Sequence, residues 1–213
     1  MTLMKNYSNL QYISSGDTPE AHFDHIMQAL QRGVNWVQLR IKNAPFSVTH
    51  DLALRVLELK QQYNFTFIIN DSPILAKSVH ADGVHLGLND MPVMEARHLL
   101  GPNKIIGGTA NTLSGGLKRT EEQCDYIGLG PFRHTETKNK LSPILGLGGY
   151  AHIVQQIKHI QHPPIFAIGG ICAEDLPALR HIGIYGAAIS KHIQMHFENE
   201  GHIETLKKLL HEN

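Results

Sequence analysis

The sequence is short of cysteine, of net charge and of long apolar runs, and each shortage excludes something. Cys124 and Cys172 are the only cysteines. Two cannot build a disulfide framework, and neither sits in a Cys-x-x-Cys pair, so a reducing, cytoplasmic setting is expected. Lys plus Arg equals Asp plus Glu, 19 of each. A neutral chain has no general attraction for nucleic acid or for an anionic membrane, so any anion it binds must be met locally, at a site. No stretch approaches the ~18 apolar residues of a membrane span. Met1 to Gln11 holds no continuous apolar run, so no signal peptide is expected. Tyr12-Ile13-Ser14-Ser15-Gly16-Asp17, at the end of the first apolar run, is not the Gly-x-Gly-x-x-Gly turn of a dinucleotide site.

What is present is a regular alternation. The chain has 213 residues and 42% hydrophobic content, enough to bury the core of one domain. Short apolar, β-branched runs occupy 10–14, 36–40, 66–70, 83–87, 104–109, 126–130, 165–169 and 187–190. Between them lie stripes of helical spacing: Phe23, Met27, Leu30 and Val34; then Val48, Leu52, Val56, Leu59 and Tyr63; finally Ile203, Leu206 and Leu210. Strand–helix alternation implies crossover units and a parallel sheet. The count of units matches a small (β/α)8 barrel over 1–213, with a doubly wound open sheet as the alternative. No linker, charge block or low-complexity tract divides the chain.

In a barrel, chemistry sits where strands end and βα loops begin. The polar residues gather there. In Gln38-Leu39-Arg40-Ile41-Lys42, alternation sends Gln38, Arg40 and Lys42 to one face. Such residues need a ligand or one another; a buried ion-pair layer or a solvated loop is the other reading. Asn70-Asp71-Ser72-Pro73 and Leu88-Asn89-Asp90 place two carboxylates just past neighbouring strands. They suit one Mg2+, or equally two helix caps. Ser72-Pro73 itself reads as a helix start. After the sixth run comes a polar loop, Phe132-Arg133-His134-Thr135-Glu136-Thr137-Lys138-Asn139-Lys140. Its hydroxyls and Lys suit phosphate oxygens, although a solvated loop has the same composition. Gly169-Gly170 after the seventh run and Ser190-Lys191 after the eighth stand where barrels commonly hold a monophosphate. Two anion sites in one pocket call for two phosphorylated substrates.

These segments, in order, resemble thiamine-phosphate synthase: Gln38-Leu39-Arg40-Ile41-Lys42, Ile69-Asn70-Asp71, Ala81-Asp82-Gly83-Val84-His85-Leu86-Gly87, Tyr126-Ile127-Gly128-Leu129-Gly130-Pro131, Thr135-Glu136-Thr137-Lys138 and Ala167-Ile168-Gly169-Gly170-Ile171. The resemblance covers nearly the whole chain. It implies a (β/α)8 enzyme, Mg2+-dependent, that joins 4-amino-5-hydroxymethyl-2-methylpyrimidine diphosphate to a thiazole phosphate and releases pyrophosphate. It implies Asp71 and Asp90 as magnesium ligands. Gln38, Arg40, Lys42, Asn70 and Lys138 would hold the diphosphate, with Lys138, Arg40 and Thr109 closest to the chemistry. Thr135, Thr137, Gly170, Ile189 and Ser190 would hold the thiazole phosphate. A homodimer is also implied.

The pattern is not followed throughout. Leu88 stands where the family commonly has Gln, Ser14-Ser15 where an acid is common, and Thr109 where Ser is usual. The related thiazole tautomerases carry a catalytic His near Asn111 and usually lack the aspartates and the Thr-x-Thr-Lys segment, so the residues here favour the synthase. A tautomerase-like isomerase and a catalytically silent phosphate-binding regulator are the alternatives. Of the 15 histidines, His192 and His196 lie at i,i+4 and His22 and His25 at i,i+3. Neither pair brings a third ligand in sequence, and all four are expected at the surface. His85 is expected to be structural, and Cys172 unreactive.

Overall fold

The computed structural model describes residues 8–134 and 143–211. Eight parallel strands close into a barrel in sequence order. They are β1 (Leu10–Ile13), β2 (Trp36–Leu39), β3 (Thr66–Asn70), β4 (Gly83–Leu86), β5 (Ile105–Ala110), β6 (Tyr126–Leu129), β7 (Ile165–Ile168) and β8 (Gly186–Ile189). Each falls within about a residue of an apolar run. Pairing of Leu10 with Ala187 and of Tyr12 with Val37 joins β1 to both neighbours and closes the sheet. The open-sheet alternative is thereby excluded.

The connecting helices are α1 (Pro19–Gln31), α2 (Phe46–Glu58), α3 (Pro73–Ser78), α4 (Val93–Leu100), α5 (Leu113–Glu121), α6 (Gly146–Ile157), α7 (Leu176–His181), α8 (Lys191–Met195) and α9 (His202–His211). Thr18 and Thr112 cap α1 and α5 by accepting from Ala21 N–H and Gly115 N–H. The stripes hold, with one rotation. In α1 the deepest face is His22, Ile26, Ala29 and Leu30, while Phe23 and Met27 are half-buried beside it. His22 is therefore not a surface residue: the turn of α1 that faces the sheet carries it inward. Among the described residues no helix is long and apolar enough to cross a membrane.

Two separate cores result. The larger packs the outward faces of the strands against the helices. The smaller fills the barrel with Trp36, Ile68, Ile105, Tyr126 and Phe166. Trp36 meets Tyr126 and Phe166 edge-on, both at 5.0 Å between ring centres. Such pairs add about 0.5–1.5 kcal/mol each beyond their burial. The rings fit because β5 has no side chain opposite them: a Cβ on Gly107 would stand 2.1 Å from Tyr126 Cζ. This plug closes the barrel below, and the next inward layer is polar.

Candidate active site

Above that layer the strand ends open into a pocket of about 1310 Å3. Pockets for one small ligand measure about 300–1,000 Å3, so the space suits two. Gln38, Arg40, Lys42, Asn70, Asp71, Asp90, Thr109, Gly170, Ile189 and Ser190 all line it. Thr135, Thr137 and Lys138 lie outside the described residues.

The acidic end is built by the loops after β3 and β4. Asp71 donates its backbone N–H to His85 C=O at 2.8 Å, which holds it at a φ of 66°. That conformation is unusual outside glycine, although Asn and Asp tolerate it best. Asp90 turns back so that its Oδ2 accepts from Gly87 N–H at 2.6 Å. The two carboxylates converge over Gly87, where a Cβ would lie 2.9 Å from Asp90 Oδ2 and 3.9 Å from Asp71 Oδ1. Burial first, then the Asp90 carboxylate, pushes the Asp71 acid up to about 6; Lys42 and Arg40 pull it the other way. Neither aspartate caps a helix. Ser72 Oγ caps α3 by accepting from Leu75 N–H at 3.2 Å, and α4 has no side-chain cap. Crowded carboxylates, with hard oxygen donors and no capping duty, fit a divalent cation such as Mg2+.

Behind the acidic pair runs a buried polar wall. Gln38 Nε2 donates to Gln11 Oε1 at 3.1 Å, and Gln11 Nε2 to the Tyr126 hydroxyl at 3.4 Å. His85 then bridges Tyr126 and Thr109, through Nδ1 at 3.0 Å and Nε2 at 2.9 Å. Arg119 braces the wall from outside the sheet. Its guanidinium donates to Thr109 C=O at 3.0 Å and Gly87 C=O at 2.8 Å, and it pairs with Glu122 at 2.7 Å. One side chain thus fixes the strand end that presents Thr109 and the turn that holds Asp90. At β2, Ser14 Oγ accepts from Arg40 N–H at 3.0 Å and meets His22 Nδ1 at 2.9 Å.

The opposite end lies after β7 and β8. Gly169 and Gly170 have φ of 90° and 74°, which an L side chain would strain. Ser190 Oγ donates to Ser15 Oγ at 3.1 Å, and Ser15 Oγ donates to Gln194 Oε1 at 3.0 Å. Arg133 forks onto Asp175 at 2.7 and 2.8 Å, pinning the loop after β6 to the loop after β7. Burial pushes the Cys172 thiol up to about 11, so it carries no thiolate near neutrality.

Gln11, Arg119 and Gln194 were not singled out from sequence. Gln11 carries a usable signal, a polar residue at the inward register of an apolar strand. Arg119 carries none, because it acts from a helix through backbone carbonyls. The histidine expectation also changes: His202 joins His192 and His196, bringing a ring nitrogen from each within 4.8 Å of the others.

A closed barrel with a carboxylate pair, flanking cations and a glycine-lined far end, all at the C-terminal rim of the strands, defines an enzyme of the (β/α)8 class. The comparisons narrow this. The family model described as thiamine monophosphate synthase matches residues 11–193, and the chain belongs to that family. Thiamine-phosphate synthase of Flavobacterium psychrophilum is 53% identical over 185 residues, 86% of this chain and 90% of that protein. That of Flavobacterium johnsoniae is 47% identical over 97% of this chain and 98% of that protein. Among solved structures, thiamine phosphate pyrophosphorylase from Pyrococcus furiosus superposes with a TM-score of 0.79 at 28% identity, covering 95% of each chain. Membership makes the chain a transferase of thiamine biosynthesis.

Proposed function

We propose that the pocket joins 4-amino-5-hydroxymethyl-2-methylpyrimidine diphosphate to 4-methyl-5-(2-phosphoethyl)thiazole, giving thiamine phosphate and pyrophosphate, or to its carboxylated form with release of CO2 as well. The observation that carries this reading is the convergence of Asp71 and Asp90 beside Arg40 and Lys42, at the far side of one pocket from Gly170 and Ser190. One end suits a metal-assisted diphosphate and the other a monophosphate.

In this reading the C–O bond to the diphosphate breaks first, the electron pair leaves with pyrophosphate, and the thiazole nitrogen attacks the resulting pyrimidine cation. Asp71 and Asp90 would hold Mg2+, which when bound supplies positive charge to the departing oxygens. Arg40 and Lys42 add fixed positive charge on the same side, with Lys138 assigned there by resemblance. Gln38 and Asn70 orient the diphosphate substrate, and Thr109 presents a hydroxyl beside the reacting centre. Thr135, Thr137, Gly170, Ile189 and Ser190 hold the thiazole phosphate so that its nitrogen faces the cation. No protein nucleophile is required, which accords with the unactivated Cys172. The enzyme is read as cytoplasmic and homodimeric.

The test is to mix the purified protein with both phosphorylated precursors, with and without Mg2+. Thiamine phosphate should form only with Mg2+, and Asp71→Ala and Lys138→Ala should abolish coupling with the fold intact. Absence of product with Mg2+ present would overturn the assignment in favour of an isomerase or a silent barrel, and near-normal turnover in both variants would overturn the roles given to Asp71 and Lys138.

A further inference from the structure

The three imidazoles of His192, His196 and His202 have no place in the coupling chemistry, yet they are arranged as a ligand set. His192 and His196 lie on or just past α8, and His202 opens α9. Their rings pack at 4.5, 5.0 and 4.3 Å between centres, and one nitrogen of each lies within 4.8 Å of the other two. Tetrahedral coordination at roughly 2.0–2.1 Å sets ligand nitrogens a little over 3 Å apart, so side-chain rotation closes the difference.

The hydrogen bonds leave the lone pairs of His196 and His202 open and occupy that of His192 only through a long contact that an ion would displace. His196 Nδ1 lies 2.8 Å from His192 C=O, which only accepts, so its proton sits on Nδ1 and Nε2 keeps a lone pair. His192 Nε2 accepts from Ala173 N–H over a long 3.3 Å. His202 is 9% exposed, and its Nε2 is buried without a hydrogen-bond partner. A buried polar atom with no partner is costly, and a metal ion satisfies it. Burial and the neighbouring imidazoles hold His192 and His202 below the usual histidine range, in the neutral form that coordinates. Glu174 stands close enough for its charge to reach both.

We propose that His192, His196 and His202 form a second metal site, for Zn2+ or a similar imidazole-preferring divalent ion, distinct from the acidic pair. Nitrogen donors and a tetrahedral demand separate it from Mg2+, which prefers oxygen. Three protein ligands leave the fourth position to water. The ion would tie the start of α9 to α8. His192 lies two residues beyond Ser190 and also lines the pocket, so occupancy would stiffen the rim at the monophosphate end.

The test uses tag-free, full-length protein in excess Mg2+, which occupies the acidic pair. Zn2+ is titrated against a chromophoric chelator, and Co2+ is titrated in parallel to read its visible spectrum. We expect one equivalent of Zn2+, a Co2+ spectrum of nitrogen ligation, and a raised Tm. His196→Gln and His202→Gln should each weaken Zn2+ binding by more than about tenfold and remove the rise in Tm. His196 is half-buried, so its variant keeps the test valid should His202→Gln not fold. Absence of Zn2+ binding by the wild type, or equal affinity in wild type and His196→Gln, would overturn the proposal. Neither readout depends on thiamine phosphate formation.

Discussion

Replacing Asp71 by Asn removes one charge from the acidic pair while sparing the backbone, because Asn accepts the φ of 66° almost as readily as Asp. The acid of Asp71 rises from 3.8 to about 6 on folding. The folded state therefore binds this proton more tightly than the unfolded chain, and above about pH 6 it holds a charge it disfavours. The carboxylate reaches solvent at the pocket mouth, so screening leaves a cost of about 1 kcal/mol. Without metal, Asp71→Asn should accordingly be more stable than wild type by about 1 kcal/mol at pH 7–8. Below the unfolded value of 3.8 the advantage should vanish, with the change falling between about 6 and 3.8. Mg2+ should reverse the order. At a hundredfold excess over its Kd it stabilises wild type by about 2.7 kcal/mol, and it should stabilise the variant far less. Denaturant midpoints across pH, with and without Mg2+, read all three effects. A metal-free Asp71→Asn protein less stable than wild type at pH 8 would refute the convergence of the two carboxylates.

Two further substitutions test the supporting structure. Arg119→Met should cost about 3 kcal/mol, since it leaves Gly87 C=O and Thr109 C=O without their charged donor; it should also weaken Mg2+ activation, which a kinetic titration of Mg2+ measures. Arg119→Lys should not restore it, because one ammonium lacks the planar fork that reaches both carbonyls. Gly107→Ala should destabilise by at least about 1–3 kcal/mol through its clash with the Tyr126 ring, and the added change Tyr126→Leu should recover part of the loss in thermal unfolding.

The strands were legible because parallel barrel strands, buried on both faces, appear as continuous apolar runs bounded by Gly, Asp and Pro. The rim was legible because polar residues such as Arg40 and Asp71 interrupt those runs at their C-terminal ends. What sequence left open for the aspartates, cap or ligand, is a matter of where a side chain points; the hydroxyl of Ser72 takes the cap and frees Asp71. The histidines were misjudged for the same reason. His192 and His196 are a helical pair, but His202 reaches them only after the chain turns between α8 and α9, and no spacing rule encodes that turn. His22 was misjudged because its partner, Ser14, lies across a loop.

The buried wall behind the acidic pair has a direction. If each donor is used once, the sense runs from Gln38 to Gln11, to the phenol of Tyr126, to His85 Nδ1, and out through His85 Nε2–H to the oxygen of Thr109. The imidazole is then locked in a single tautomer, and the Thr109 hydroxyl, already accepting, turns its proton toward the pocket. At the other end the Gln38 amide spends one of its two N–H protons on Gln11 and keeps the other beside its oxygen. The wall thus ends near β2 in an amide that can accept or donate and near β5 in a hydroxyl that can donate. A flat heteroaromatic ring with an amino group on one edge and a bare ring nitrogen on another would find a partner for each along this wall, with no help from the groups that meet the phosphates.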